Sequence, residues 1–162
     1  MGTRALFRIY DFDGSIICTI YTQFDGYPDG IPLAAMRFLA SRELVNGIGD
    51  DWFVFNGMDD LAAQLVTYLK VMHGLDLMRF KGMDVPDGAE IEKLIWAGTI
   101  YVVSPDTIDA WQDYEYHIKP DGMGGVRIEA YRMGENARPI EAIFSGSPKE
   151  YVEKFAAKAL AR

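Results

Sequence analysis

Cysteine and histidine are the scarcest reactive residues in this 162-residue chain, with one and two copies, and their scarcity limits the chemistry available to it. Cys18 has no partner for an internal disulfide, so the fold must rest on a packed core, which a chain of this length with 49% hydrophobic residues can bury. Its place on an apolar strand face predicts a buried thiol rather than a nucleophile. With only two histidines, and without a nucleophile elbow around Ser15, Ser104 or Ser145, no serine triad can be assembled. No apolar run reaches the length of a membrane span. The N-terminus shows no leader pattern before strand-like residues, so it reads as that of a mature cytoplasmic chain. Gly2 is followed by Thr3, Arg4, Ala5 and Leu6, which lacks the small residue wanted for myristoylation.

Positive charge is the minority sign. Sixteen basic residues against twenty-four acidic give a net charge of -8, which opposes nonspecific attraction to nucleic acid or anionic lipid. Neither is an expected partner, although a local site remains open and the balance also permits a charge mimic that inhibits a basic protein. No repeat, low-complexity tract or composition break divides the chain, so residues 1 to 162 read as a single domain. No cofactor is expected.

What is present is an alternation of periods. Residues 4 to 12 and 15 to 23 alternate in character around Asp13-Gly14, a preferred two-residue hairpin turn. With Phe12 opposite Ser15, Ala5, Phe7, Ile9, Ile16, Cys18 and Ile20 share a core face. Arg4, Arg8, Tyr10, Ile17, Thr19, Tyr21 and Gln23 share a mixed one, interrupted by Leu6. A turn-rich segment, Asp25 to Gly30, leads to a helix with Pro32 in its first turn, the stripe Leu33, Met36, Leu39 or Ala40, and Leu44, and a stop at Asn46-Gly47. A second helix is predicted from Gly57 to His73, capped by Asn56, striped by Leu61, Leu65, Leu69 and Met72, and ended by Gly74. Residues 76 to 87 read as loop. A short helix follows, with Asp87 and Glu90 as a capping box and Gly98 as its breaker. Strands are predicted at 99–103, 111–118, 126–132 and 139–144, joined as an antiparallel meander. A final helix opens on Ser147, Pro148 and Glu150. The order predicts an α+β fold: an N-terminal β-hairpin, two or three helices, a four-stranded antiparallel meander and a C-terminal helix.

Asp11-Phe12-Asp13-Gly14-Ser15 resembles the nucleophile motif of haloacid-dehalogenase-type phosphatases, and Gly49-Asp50-Asp51 resembles their later acidic motif. That resemblance implies a metal-dependent phosphoryl hydrolase centred on Asp11 and Asp13, with Asp50 and Asp51 assisting at the metal. The surroundings oppose it. The strand before Asp11 is two-faced, the spacing leaves no room for the family's αβ units, and Asp13-Gly14 is already explained as a turn.

Met1-Gly2-Thr3-Arg4 and Gln23-Phe24-Asp25-Gly26-Tyr27-Pro28-Asp29-Gly30 resemble the start and the Gln-aromatic-Asp-Gly-Tyr-Pro segment of an uncharacterised family of bacterial and phage proteins. The resemblance covers the first quarter of the chain. It implies that Thr3, Arg4, Tyr21, Gln23, Asp25 and Tyr27 belong to the family signature, and it transfers no activity. The hairpin register sets Arg4 opposite Gln23, with Tyr21 on the same face and Asp25 and Tyr27 arriving from the loop. Two readings follow: a clamp for an anion or planar polar ligand, or a structural clasp in which Arg4 pairs with Asp25. The functional expectation is a noncatalytic binding or regulatory module for a small polar ligand or a protein, acting in phage–host interplay. A structural homo-oligomer that uses a sheet edge or a tryptophan-bearing surface is the further alternative. Asp113, Glu115 and His117 alternate onto one strand face and read as an ion-pair face rather than a metal cage. His73, beside Gly74, reads as a helix C-terminal residue. Asp121 to Gly125 reads as a flexible hairpin connection, and Trp52, Trp96 and Trp111 as core residues.

Overall fold

The computed structural model describes residues 2–84, 91–95 and 99–160. Among the described residues, eight strands and three helices form the expected α+β fold, with two short strands between the first two helices that the sequence did not announce. The N-terminal hairpin joins β1 (Ala5–Tyr10) to β2 (Ile16–Thr22), and α1 (Ile31–Ala40) follows. Two-residue strands β3 (Leu44–Val45) and β4 (Phe55–Asn56) pair in parallel ahead of α2 (Gly57–Phe80). Then come β5 (Ile100–Val103), β6 (Tyr114–Pro120), β7 (Val126–Met133), β8 (Pro139–Gly146) and α3 (Pro148–Leu160).

Six strands form one sheet in the order β5-β2-β1-β6-β7-β8. All four C-terminal strands are present, but the meander proper is β6-β7-β8. β5 instead pairs antiparallel with β2 on the far side of the hairpin. This places β1 at the centre, antiparallel to β2 and parallel to β6. The hairpin therefore forms the middle of the sheet and needs cover on both faces.

The hairpin register is the expected one, reached by a different route. Asp11 N–H donates to Ser15 O at 2.8 Å and Gly14 N–H to Asp11 O at 3.0 Å, so the loop carries three residues, 12–14, with Gly14 at φ 86°. That loop alone would shift the pairing by one residue. An irregularity beyond Tyr10↔Ile16 absorbs the shift, and from Ile9↔Cys18 to Ala5↔Thr22 the pairing returns to the predicted frame. Ile16 consequently stands opposite Tyr10 instead of joining the core face, while Ile17 and half-buried Cys18 pack against the core. Burial pushes the Cys18 thiol pKa up, as an inert thiol requires.

Three helix expectations are corrected. α1 stops at Ala40, and Leu44 reaches the core from β3 rather than from a longer helix. α2 runs through Gly74 to Phe80, because Gly74 and Met78 are buried and tertiary packing outweighs a glycine penalty of about 1 kcal/mol. The segment from Asp76 to Phe80, expected as loop, is therefore helical. His73 lies inside α2 and not at its end, and its Nε2 hydrogen-bonds Thr99 Oγ1 at the entry to β5. Asn56 does not cap α2 through its side chain; its Oδ1 accepts from Gly47 N–H at 2.8 Å. α3 begins as read, with a reciprocal capping box: Ser147 Oγ accepts from Glu150 N–H at 3.1 Å, and Glu150 Oε1 accepts from Ser147 N–H at 3.0 Å. Residues 91–94 form a 3-10 turn, whereas Asp87, Glu90, Trp96 and Gly98 lie outside the described residues.

One sheet face packs on the helices. Phe7, Ile9, Ile20, Tyr116, Ile118 and Ile128 meet Met36, Leu61, Leu65 and Tyr151, all essentially without exposure. The other face carries Leu6, Arg8, Tyr10, Thr19 and Tyr21 on the hairpin, and Glu115, His117 and Lys119 on β6. Residues 104–113 carry the chain from β5 to β6 and lie along this second face. Thr19 Oγ1 donates to Pro105 O at 3.2 Å, and Arg8 Nη2 reaches Ile108 O at 3.4 Å. The predicted strand start at Trp111 falls in this connection. Trp111 has φ 59° and Trp52 lies in another loop, and both rings are largely exposed, contrary to the core placement expected for them.

Candidate functional site

The two signature segments meet because glycines let their backbones touch. A Cβ on Gly26 would lie 2.7 Å from Ala5 Cβ and 2.9 Å from Ala5 N. One on Gly2 would lie 2.7 Å from Gln23 O. Gly26 N–H donates to Thr3 O at 3.0 Å, and the buried Tyr116 hydroxyl donates to Gly26 O at 2.8 Å. Tyr151 of α3 fixes the same loop by donating to Pro28 O at 2.7 Å. Burial holds the pKa of both tyrosines well above the ordinary value, so they remain phenols and donors.

Each predicted site residue has a defined place. Asp25 is exposed at φ 55°, a left-handed conformation that aspartate tolerates, and its carbonyl accepts from Ile31 N–H at 2.8 Å. No ion pair joins it to Arg4 among the described residues, so the Arg4–Asp25 clasp is not formed. The backbone of Arg4 is instead held by Asp113, whose Oδ2 accepts from Arg4 N–H at 2.9 Å and whose N–H donates to Arg4 O at 2.9 Å. The Arg4 side chain turns toward Tyr21. Burial and neighbouring Tyr101 raise the Tyr21 pKa, while the Arg4 charge and hydrogen bond oppose that rise. Gln23 N–H extends the β2–β5 pairing by donating to Thr99 O at 2.8 Å.

Arg4 and Tyr27 also line a surface hollow of about 470 Å3 with Asp113, Tyr114 and Arg132. A neighbouring hollow of about 500 Å3 shares Tyr27, Tyr114 and Arg132 and continues to Glu141, Lys154 and Lys158. Together they make a groove across one end of the sheet, from the N-terminal segment to α3. Four cations (Arg4, Arg132, Lys154, Lys158) line it against three carboxylates (Asp29, Asp113, Glu141), the reverse of the chain's overall balance. Glu141 accepts from Arg132 Nε at 3.1 Å, and Lys154 Nζ donates to Ile143 O at 2.9 Å. Tyr21, Gln23 and Asp25 are not among the residues lining these two hollows.

A second polar assembly was only partly legible in sequence. Arg8 and Glu115 form an ion pair on the covered sheet face, with side-chain exposures of 8% each. Gln112 Nε2 donates to Glu115 Oε2 at 3.2 Å and to Ile108 O at 2.9 Å, which ties the connection to the pair. His117 Nε2 lies 3.3 Å from Glu115 Oε1, and His117 Nδ1 lies 2.6 Å from Tyr10 Oη. Burial alone would raise the Glu115 pKa, but hydrogen bonds from His117, Arg8 and Gln112, with the Arg8 charge, pull it down to about 2. The alternation of Glu115 and His117 announces an ion-pair face. Its partner Arg8 lies 107 residues away and is brought beside it by the parallel β1–β6 pairing. Asp113 does not join this network and holds Arg4 instead.

Three of the four aspartates of the phosphatase-like reading hold backbone N–H groups within two residues of themselves. Asp11 Oδ1 accepts from Phe12 N–H, Asp13 Oδ1 from Ser15 N–H and Oγ, and Asp51 Oδ1 from Phe53 N–H; Asp50 is exposed nearby. Among the described residues, no three histidine, cysteine or carboxylate side chains are grouped so as to hold a metal. No described helix is long and apolar enough to cross a membrane. Comparison with family models, curated proteins and solved structures finds no match to the chain.

Proposed function

We propose that this chain is a noncatalytic binding module that takes a small anionic ligand with a planar part in the groove between the N-terminal segment and α3. The observation that carries the reading is that two adjoining hollows share Tyr27, Tyr114 and Arg132 as wall residues. Arginine forks suit carboxylate or phosphate oxygens, and the tyrosine rings supply faces for a planar group. The resemblance of the N-terminal segments to bacterial and phage proteins is what suggests phage–host interplay as the setting for such a module.

Calorimetry against a panel of nucleoside monophosphates and aromatic carboxylates tests it. Binding by one class that falls at least about tenfold in Arg132→Ala, a loss of about 1.4 kcal/mol, is the expected result. Absence of binding across the panel overturns the assignment. A second reading, self-association, is favoured by one edge of the sheet: β5 carries no charge and no proline, and Tyr101 and Val102 are 45% and 54% exposed. Light scattering that gives the 18.2 kDa chain mass at every concentration would remove it.

A further inference from the structure

We propose that the Tyr10 hydroxyl is an acceptor site for acyl groups, activated by a carboxylate–imidazole–phenol relay that runs from Glu115 through His117. The relay shares no residue with the groove.

The protons can be placed from the contacts. Glu115 can only accept, so the His117 tautomer that serves it carries its proton on Nε2, 3.3 Å from the carboxylate. Nδ1 then offers its lone pair to the Tyr10 hydroxyl at 2.6 Å. Glu115 is fixed in turn by Arg8 and Gln112, so it orients the imidazole and stabilises its charged form without taking a proton itself. The far end of the relay is the more open one. Arg8 and Glu115 are buried, whereas Tyr10 is half-buried at the end of β1.

Tyr10 also has the environment of a hydroxyl that needs a base. Burial holds its pKa up, so the phenol keeps its proton in neutral solution and must lose it to react. Lys119 Nζ stands 5.0 Å from the Tyr10 ring centre, held by Glu129 Oε2 at 2.9 Å, and places a positive charge beside the developing phenolate. The ring lies near-parallel to His117 with centroids 5.5 Å apart, and Tyr131 meets the imidazole edge-on at 5.4 Å. These contacts limit the freedom of both reacting groups.

The step balances without an oxidant or reductant. The donor is an activated carbonyl compound such as an acyl imidazole, acyl phosphate or thioester. Tyr10 Oη forms a bond to the carbonyl carbon while its proton passes to His117 Nδ1. The bond from that carbon to the leaving group breaks, and the leaving group departs with the electron pair and recovers the proton from His117.

The test is acetylation of the full chain by N-acetylimidazole, followed by peptide mass mapping. Tyr101 serves as an internal reference because it is 45% exposed and lies outside the relay. Tyr10 is expected to acquire acetyl at least about tenfold faster than Tyr101, and His117→Asn to slow Tyr10 by about a hundredfold while leaving Tyr101 unchanged. Equal rates at the two tyrosines in the unaltered protein would overturn the proposal, a comparison that needs no variant to fold. So would a Tyr10 rate indifferent to His117→Asn in a folded variant. Nitrogen NMR gives a check independent of reactivity: neutral His117 protonated at Nδ1 would also overturn it.

Discussion

The two faces of the central sheet are both covered, by opposite means. Toward the helices, Phe7, Ile9, Ile20 and Ile128 pack on Leu61, Leu65 and Met36, and the hydroxyls of Tyr116 and Tyr151 bond to the Gly26 and Pro28 carbonyls at its margin. Toward the 104–113 connection, Arg8, Thr19, Glu115 and Gln112 are nearly as buried, yet each is satisfied by a specific partner. A helix brings its own hydrogen-bonded backbone and asks only for apolar surface. An irregular connection arrives with free carbonyls, and those of Pro105 and Ile108 must find donors. The polar side chains beneath it answer that need. Shape therefore specifies the first face, and hydrogen-bond geometry the second.

This contrast can be broken most severely at the ion pair. Glu115→Ala leaves Arg8 charged and buried without its carboxylate, with an expected loss of about 3 to 5 kcal/mol in denaturant unfolding. Replacing both partners, Arg8→Met with Glu115→Leu, should recover most of that loss. If the double variant were as unstable as the single one, the pair would be more than a satisfied charge. On the helix face Leu61→Ala should cost about 2 to 5 kcal/mol, and no second substitution among neighbouring polar groups should restore it.

Acid separates the faces without mutation. Glu115 titrates at about 2 against an ordinary 4.5, so its folded form favours the carboxylate. The resulting stability is fully present above the unfolded pKa and is lost as the pH falls toward 2, on the order of 3 kcal/mol in total. Unfolding midpoints measured across that acid range should drop in the unaltered chain and drop less in Glu115→Gln. Parallel curves would remove Glu115 as the source.

Smaller effects sharpen the boundary between the two kinds of order. Ser147→Ala removes one half of the α3 capping box and should cost about 1 kcal/mol, read as a shift in urea midpoint. A double-mutant cycle between Arg4 and Asp25 should give coupling near zero, because the structure turns Arg4 toward Tyr21 and leaves Asp25 as a left-handed turn residue. Measurable coupling would restore the clasp that the sequence suggested.

Local chemistry made much of the fold readable. The α3 cap, the hairpin register beyond Tyr10 and the six strands of the main sheet follow from residues close in sequence, whose periods and turn preferences act over a few positions. Less of the candidate site was readable: Arg4 and Tyr27 line the groove, but Tyr21, Gln23 and Asp25 do not, and Tyr114, Arg132, Lys154 and Lys158 reach it from distant elements that leave no local signal. Where packing competes with propensity, the local signal failed. Gly74 stayed helical because it is buried, and Trp111 was left outside because its backbone belongs to the connection and not to β6.

The sequence by itself determined the α+β class, the three helices in outline and the six strands of the main sheet with their two periods, because those arise from interactions between near neighbours. Only the tertiary structure decided that β5 crosses to the far side of the hairpin, since strand order depends on which edges meet and leaves no periodic trace. That crossing laid residues 104–113 over Arg8 and set β6 beside β1. Through it, a charge at position 8 and a carboxylate at position 115 became one buried pair, and Tyr10 came within reach of His117.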